Sequence, residues 1–297
     1  MSGLEVVEPG PASTVQDLGR PGLLRWGVGV SGAADRGSLR LANSLVGNPP
    51  GHACVEVVLG GLAVRARQRC VVAVAGAPAP ARLDGGPVGH ASVLVLHPGQ
   101  VLRLGTAAAG LRSYLAVRGG VDVEPVLGSR SRDTLAGIGP APLGAGDVLP
   151  VGAPPVGFPR VRTAVVPVPI TGELTLGVRP GPRADRFADP AALFAGTWRV
   201  SPQSDRVGVR LDRADGPALQ RADDVELPPE GVALGSLQVP PSGQPVLFLA
   251  DHPVTGGYPV VGVVAAADVD RAAQARPGQL VRFRPASRPC PERGGNS

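Results

Sequence analysis

The groups in this chain that could do chemistry lie in three polar stretches between short apolar runs. The first is Gln16-Asp-Leu-Gly-Arg-Pro-Gly22 with Ser31-Gly-Ala-Ala-Asp-Arg36, and the second is Gly128-Ser-Arg-Ser-Arg-Asp133. The third combines Ser201-Pro-Gln-Ser-Asp-Arg206, Gln238-Val-Pro-Pro-Ser-Gly-Gln244 and Asp251-His-Pro-Val-Thr-Gly-Gly-Tyr-Pro259. Loops of this composition between rigid strands are where sites are held. Each residue also has a role in turn chemistry, because Asp and Ser cap turns and Arg–Asp pairs tie loops together. Asp35 suits a helix N-cap, Asp17 and Arg20 suit a pair, and Ser204-Asp-Arg206 suits a turn entering a strand. Thr255-Gly-Gly-Tyr258 has the character of a binding loop: two glycines admit a close backbone approach and Tyr258 offers a phenol and a flat face. His252 reads either as an acid or base or as a surface turn residue. Spacing alone therefore points to loop clusters that bind an anionic or amide-bearing small molecule.

Other chemistries are excluded by type or spacing. All 29 basic residues are arginine, so the chain has no Schiff-base lysine and no P-loop lysine. Cys54, Cys70 and Cys290 form no CxxC pair, and His52, His90, His97 and His252 lack metal-ligand spacing, so no metal site is expected. Ser31 misses the final glycine of a nucleophile elbow. Gly27-Val-Gly-Val-Ser-Gly32 fits the dinucleotide fingerprint, with Glu56 at a workable distance. However, only residues 23–26 could form the preceding strand, and no alternating βα units follow. The net charge of +5 is spread along the chain and aromatics are 3%, which argues against nucleic acid. No leader opens the sequence and no run of about 18 apolar residues crosses a membrane, so a cytoplasmic protein is expected.

The elements that must position these loops are mostly strands. Alternating runs at 54–59, 70–74, 92–96, 101–104, 113–117, 207–211, 246–249 and 280–283 are bounded by Gly, Pro or Asp. Arg65, Arg67 and Arg69 recur with a period of two, as on the wet face of one strand. Three short helices are expected: 36–46 with Asp35 as N-cap and Gly47 as its stop, one starting at Asp189-Pro190 and ending at Gly196, and one over 268–275. So few helices cannot cover both faces of a parallel sheet, which makes the fold mostly β, a barrel or sandwich. His97-Pro-Gly-Gln-Val-Leu-Arg-Leu is echoed by Arg276-Pro-Gly-Gln-Leu-Val-Arg-Phe and more loosely by Leu143-Gly-Ala-Gly-Asp-Val-Leu-Pro. Two β-domains are expected, 1–160 barrel-like and 161–287 a barrel, with 288–297 a disordered tail.

Several stretches together resemble a known family. These are Thr14-Val-Gln-Asp-Leu-Gly-Arg-Pro-Gly22, Ser31-Gly-Ala-Ala-Asp35, Leu41-Ala-Asn-Ser-Leu-Val-Gly-Asn48, Glu56-Val-Val-Leu-Gly-Gly61, Gly128-Ser-Arg-Ser131, Pro202-Gln-Ser-Asp-Arg206 and Thr255-Gly-Gly-Tyr-Pro259. They look like the biotin-dependent carboxyltransferase family, also described as the 5-oxoprolinase C subunit, allophanate hydrolase subunit 2 or KipA-like, in order from about Val6 to Pro285. The resemblance implies a cyclophilin-like β-barrel and a subunit that completes an active site with partners. Those partners are a KipI-like 5-oxoprolinase B subunit with a LamB/YcsF-type A subunit. The implied reaction is ATP-dependent opening of 5-oxoproline to glutamate, with ATP and Mg in the assembled complex. Alternatives are carboxyl transfer from carboxybiotin to urea or a similar amide, and a regulator that antagonises a kinase inhibitor.

Under the first reading Arg20, Arg130 and Arg206 are the candidate clamp for carboxylate or phosphate, oriented by Asp17, Asp35 and Asp205. Gln16, Ser31, Gln238, Thr255, Gly256, Gly257 and Tyr258 are the candidate substrate contacts. Three positions depart from the family pattern. Ala34 stands where Met is usual, Arg132 where Thr is common, and Asp251-His-Pro-Val where Asp-Arg-Gln-Thr is usual.

Overall fold

The computed structural model describes residues 3–158, 161–223, 225 and 227–286. The tail expected at 288–297 lies outside the described residues. The mostly β expectation holds, with two α-helices among the described residues. The first half is two open sheets stacked face to face. One sheet runs in the order Val148–Leu149, Leu4–Pro9, Leu62–Ala66, Val101–Leu104, Ala81–Leu83, Gly86–Val88. The other runs Ala12–Gln16, Cys54–Val58, Arg112–Val117, Cys70–Gly76, Val93–Leu96. Their inner faces share a core of Leu4, Val6, Val55, Val57, Val64, Val72, Leu102 and Leu115. Expected to be barrel-like, this half stays open because its edge strands never pair with one another.

The second half does close. Seven strands run Leu174–Pro180, Val260–Val264, Ser236–Gln238, Val246–Phe248, Gly208–Asp215, Thr197–Val200, Leu280–Pro285, and the ring is sealed by parallel pairing of Leu174 to Val178 with Val281 to Pro285. Closure leaves no edge exposed. Trp198, Phe283, Leu176, Leu237 and Leu247 fill the interior. Between the halves the chain does not leave the first one at residue 160. Ala164 donates to Ala91 O and Val93 to Arg162 O, so this segment stays along the sheet edge before the barrel begins.

The first α-helix, α1 (Arg36–Val46), has the expected bounds. Asp35 caps it by accepting from Ser38 N at 2.9 Å, and Gly47 stops it at φ 73°. Its buried side, Leu39, Ala42, Leu45 and Val46, packs with Val71, Ala73 and Ala75 on the outer face of the five-stranded sheet. The second, α2 (Ala266–Ala273), begins two residues earlier than expected, and Pro190–Leu193 is a single 3-10 turn. The echoed segments are the same device. In His97–Gln100 and Arg276–Gln279 the fourth residue's N–H donates to the first carbonyl, and its side-chain Oε1 accepts from the first N–H at 2.8 and 3.1 Å. At Gly144–Asp147 the Asp147 carboxylate takes that place at 2.7 Å. Glycine holds the positive φ in all three, at Gly99, Gly278 and Gly146.

Candidate active site

The five-stranded sheet's outer face carries one carboxylate among apolar neighbours. Along Cys54–Val58, Val55 and Val57 point into the sandwich and Glu56 points the other way, toward the barrel. Glu56 is 1% exposed. Its Oε2 accepts from Ala34 N at 3.0 Å and from the Tyr114 hydroxyl at 2.7 Å. Its Oε1 meets the Arg206 guanidinium from the second half and lies 3.6 Å from Arg112 Nε. Arg206 in turn binds Asp251 through Nε at 2.9 Å and Nη2 at 3.1 Å, and donates to Gly32 O. Asp251 also accepts from Ser31 Oγ at 2.6 Å and from Thr134 N and Oγ1 at 2.9 and 2.7 Å. Two guanidiniums and two carboxylates thus neutralise each other inside the joint between the halves. Burial raises the carboxyl pKa of Glu56 and Asp251, but the arginines outweigh it and hold both below the ordinary range. Arg206 is held above its ordinary value by the same pairing, against burial.

A second stitch runs beside this one. Gln274 Oε1 accepts from Leu111 N and Arg112 N at 2.8 and 2.9 Å, and its Nε2 donates to Asp35 Oδ2 at 2.6 Å and to Arg112 O at 2.9 Å. Arg112 donates to Ala273 O. Burial raises the Asp35 carboxyl pKa against the hydrogen bonds from Gln274 and Ser38. Asp35, Ser38 and Gln274 form the polar wall of a cavity of about 520 Å3 whose apolar wall includes Leu41, Val168 and Ile170. Its volume is that of a small-molecule pocket.

The expected site residues fall into three groups. Gln16, Asp17, Arg20 and Ser31 gather around the Ser129–Arg132 loop. Asp17 accepts from Gly19 N, Ser129 Oγ, Ser131 Oγ and Arg130 N, so its carboxylate braces the loop. It forms no ion pair with Arg20 among the described residues. Arg20, 1% exposed, donates to Ser131 O and leaves Nε and Nη1 without acceptors; Gln16 Oε1 is likewise buried without a donor. Arg130 turns away to Asp122 and Val123 O. Ser31 joins this group to the next, reaching Arg132 O at 3.3 Å as well as Asp251. The second group is the joint itself, with Arg206 at its centre and Asp35 at its edge. Arg206 commits all three guanidinium nitrogens to the joint. Asp205 is exposed and caps its own turn, accepting from Val207 N and Gly208 N. The third group is on the barrel. Thr255–Gly256 pairs with Glu230–Gly231, and Gln238 Nε2 donates to Tyr258 O at 3.0 Å. A side chain at Gly256 would stand 2.3 Å from Gln238 Nε2. Gly257 lies against Leu227 O, and the Tyr258 ring is 43% exposed.

Residues 27–32 follow a 3-10 turn, Leu24–Trp26, and no strand, so the dinucleotide fingerprint lacks its context. Glu56, Arg112, Asp251, Thr134 and Gln274 were not expected at the centre. The one signal for Glu56 was its type, a lone carboxylate inside a β-branched run. His252 lies at the rim. It stacks on Phe248 and its Nδ1 lies 2.7 Å from Pro253 O, a contact that makes Nδ1 the donor and leaves Nε2 as an acceptor. Burial lowers its pKa, against Asp251 and Asp133, so the ring is neutral near pH 7. Gly29 passes over it: a Cβ there would be 3.6 Å from His252 O and 3.8 Å from Asp133 Oδ2.

Comparison with known proteins identifies the family and the fold. Residues 26–285 match the family described as carboxyltransferase domain, subdomain A and B. The chain is 38% identical over 289 residues to the 5-oxoprolinase C subunit of Escherichia coli, covering 94% of this chain and 90% of that protein. The crystal structure of TTHA0988 superposes with a TM-score of 0.85 at 38% identity over 96% of this chain, which spans 56% of TTHA0988. The Kluyveromyces lactis urea carboxylase structure gives 0.88 at 30% identity over 96% of this chain and 27% of that one.

Proposed function

Since the chain belongs to the family of carboxyltransferase domains with subdomains A and B, we propose that it is the C subunit of an ATP-dependent 5-oxoprolinase that opens 5-oxo-L-proline to L-glutamate. The observation that carries this reading is identity. The chain is 38% identical to a 5-oxoprolinase C subunit and 30% identical to a urea carboxylase. A KipI-like B subunit together with a LamB/YcsF-type A subunit makes up the rest of the assembly, in the cytoplasm, and the chain alone turns over little substrate. Among the described residues no helix is long and apolar enough to cross a membrane.

ATP, with its magnesium, would supply a phosphoryl group to the lactam oxygen, releasing ADP and opening the ring carbon to water, after which the C–N bond breaks, the nitrogen takes up a proton and the phosphate leaves. Among the described residues no three His, Cys, Asp or Glu side chains are placed to hold a metal. The contribution of this chain is binding and proton handling. Arg20 is the clamp residue with donors to spare, and it is proposed to take the substrate carboxylate. The 21–29 excursion that begins and ends at the Arg20 N to Val30 O bond, 2.8 Å, would admit it. His252 Nε2 is proposed to accept a proton at the rim, and Tyr258 to present its exposed ring to the substrate. Arg206, Asp35 and Asp251 position the loop that carries Ser31.

The test combines the purified chain with its two partner subunits and measures glutamate release that depends on both ATP and 5-oxoproline. Release is expected, with Arg20→Gln raising KM more than it lowers kcat. An assembled complex that releases no glutamate refutes the reading. The similarity to urea carboxylase supports one alternative, carboxyl transfer from carboxybiotin. Free biotin raising the melting temperature while 5-oxoproline does not would favour it.

A further inference from the structure

A second cavity, of about 450 Å3, opens between α1 and the barrel. Its apolar floor includes Val264 and Val269, and its charged rim is Arg36, Arg40 and Arg179 with Asp270. Arg36 and Arg40 are four residues apart on one helix, a like-charge spacing that destabilises a helix. Arg179 comes from the barrel strand opposite. Among the described residues, Arg40 and Arg179 make no ion pair and no side-chain hydrogen bond, and the Arg36 guanidinium has one contact, to Ser31 O at 3.3 Å. Asp270 offsets only one of the three charges and makes no ion pair with them among the described residues, because its two oxygens accept from Arg36 N and Gly37 N at 3.0 Å each. Elsewhere on the surface some arginines face acids, as Arg65 faces Glu5, Arg103 Glu8, Arg183 Glu230 and Arg282 Glu173, and others, such as Arg199 and Arg276, bond carbonyl oxygens; among the described residues Arg40 and Arg179 have neither. Burial, and then Arg40, push the Arg36 guanidinium below its ordinary value.

We propose that the Arg36, Arg40 and Arg179 cavity binds a chain of phosphates. Three guanidiniums against one carboxylate leave two positive charges, which matches a pyrophosphate-type ligand better than a monocarboxylate, and guanidinium forks fit phosphate oxygens. The site exists only where the two halves meet. Naming a nucleotide as the source rests on the function proposed above; the anion site does not.

Isothermal titration of the full chain at low salt with pyrophosphate, ATP and glutarate tests it. Pyrophosphate is expected to bind saturably, at least tenfold tighter than glutarate, and more weakly as salt rises. Arg40→Gln and Arg179→Gln should each weaken binding roughly tenfold with the melting temperature unchanged. ATP binding as well as pyrophosphate supports the site with a nucleotide as source. Pyrophosphate binding without ATP supports it with a smaller phosphorylated ligand. Absence of saturable binding, glutarate binding as tightly as pyrophosphate, or unchanged affinity in both variants overturns it. Pyrophosphate binding beside a complex that releases no glutamate would keep the site and reject the oxoprolinase reading, and the reverse result would do the opposite.

Discussion

Arginine serves opposite purposes in two regions of the molecule. In the joint, Arg206 and Arg112 are enclosed by Glu56 and Asp251 and by backbone carbonyls, and their charge is used up in holding two halves together. At the cavity beyond α1, Arg36, Arg40 and Arg179 face open volume with one carboxylate already committed to helix amides. The contrast shows that type and burial alone do not identify a functional guanidinium. What identifies it is whether the donors are already spent.

The comparison is tested first at the joint. Glu56→Gln leaves Arg206 and Arg112 with less compensation in a buried setting, and a loss of about 3–5 kcal/mol is expected in urea unfolding. A loss under about 1 kcal/mol would show the joint to be ornamental. Acid neutralises the same carboxylates without mutation. Because Glu56 and Asp251 have folded pKa values below their ordinary 4.5 and 3.8, their stabilisation is full above those values and fades as pH falls through the folded ones. His52, His90 and His252, lowered by burial from 6.5, add an earlier decline, since the unfolded chain binds protons more readily. Urea midpoints should therefore slope down gently below about pH 6.5 and steeply below about 4, and a flat profile to about pH 3 contradicts the arrangement. Gln274→Ala orphans the Leu111 and Arg112 amides and should cost about 2–3 kcal/mol by the same assay. Arg40→Gln and Arg179→Gln are expected to move stability by no more than about 0.5 kcal/mol, because these groups are exposed and unpaired. A larger cost would mean that the cavity arginines also hold structure.

What the sequence made legible was local. Asp35 and Gly47 set the bounds of α1 because caps act within one turn of the chain. The PGQ turns were visible because each completes its hydrogen bonds within four residues. The centre of the joint was not legible for the same reason. Arg206 was picked out as a guanidinium in a polar cluster, but its partner Glu56 comes from the other half, and Asp251 reaches Ser31 and Thr134 there. A period-two pattern says that Glu56 faces away from Val55 and Val57. It does not say that a helix and a barrel cover that face. Asp205 shows the converse error: its residue type suggested a site, and its hydrogen bonds make a turn.

The way the ring is sealed also bears on how the polypeptide becomes a protein. Leu174 pairs with Val281, so the ring is closed by the last of its strands to leave the ribosome, whereas in the first half Leu149 adds an edge beside Leu4 and that half stays open. Contacts so distant along the chain make for slow folding. During synthesis the barrel must wait unsealed until its last strand emerges, and for that interval the edges of Leu174–Pro180 and Thr197–Val200 lack their final partner.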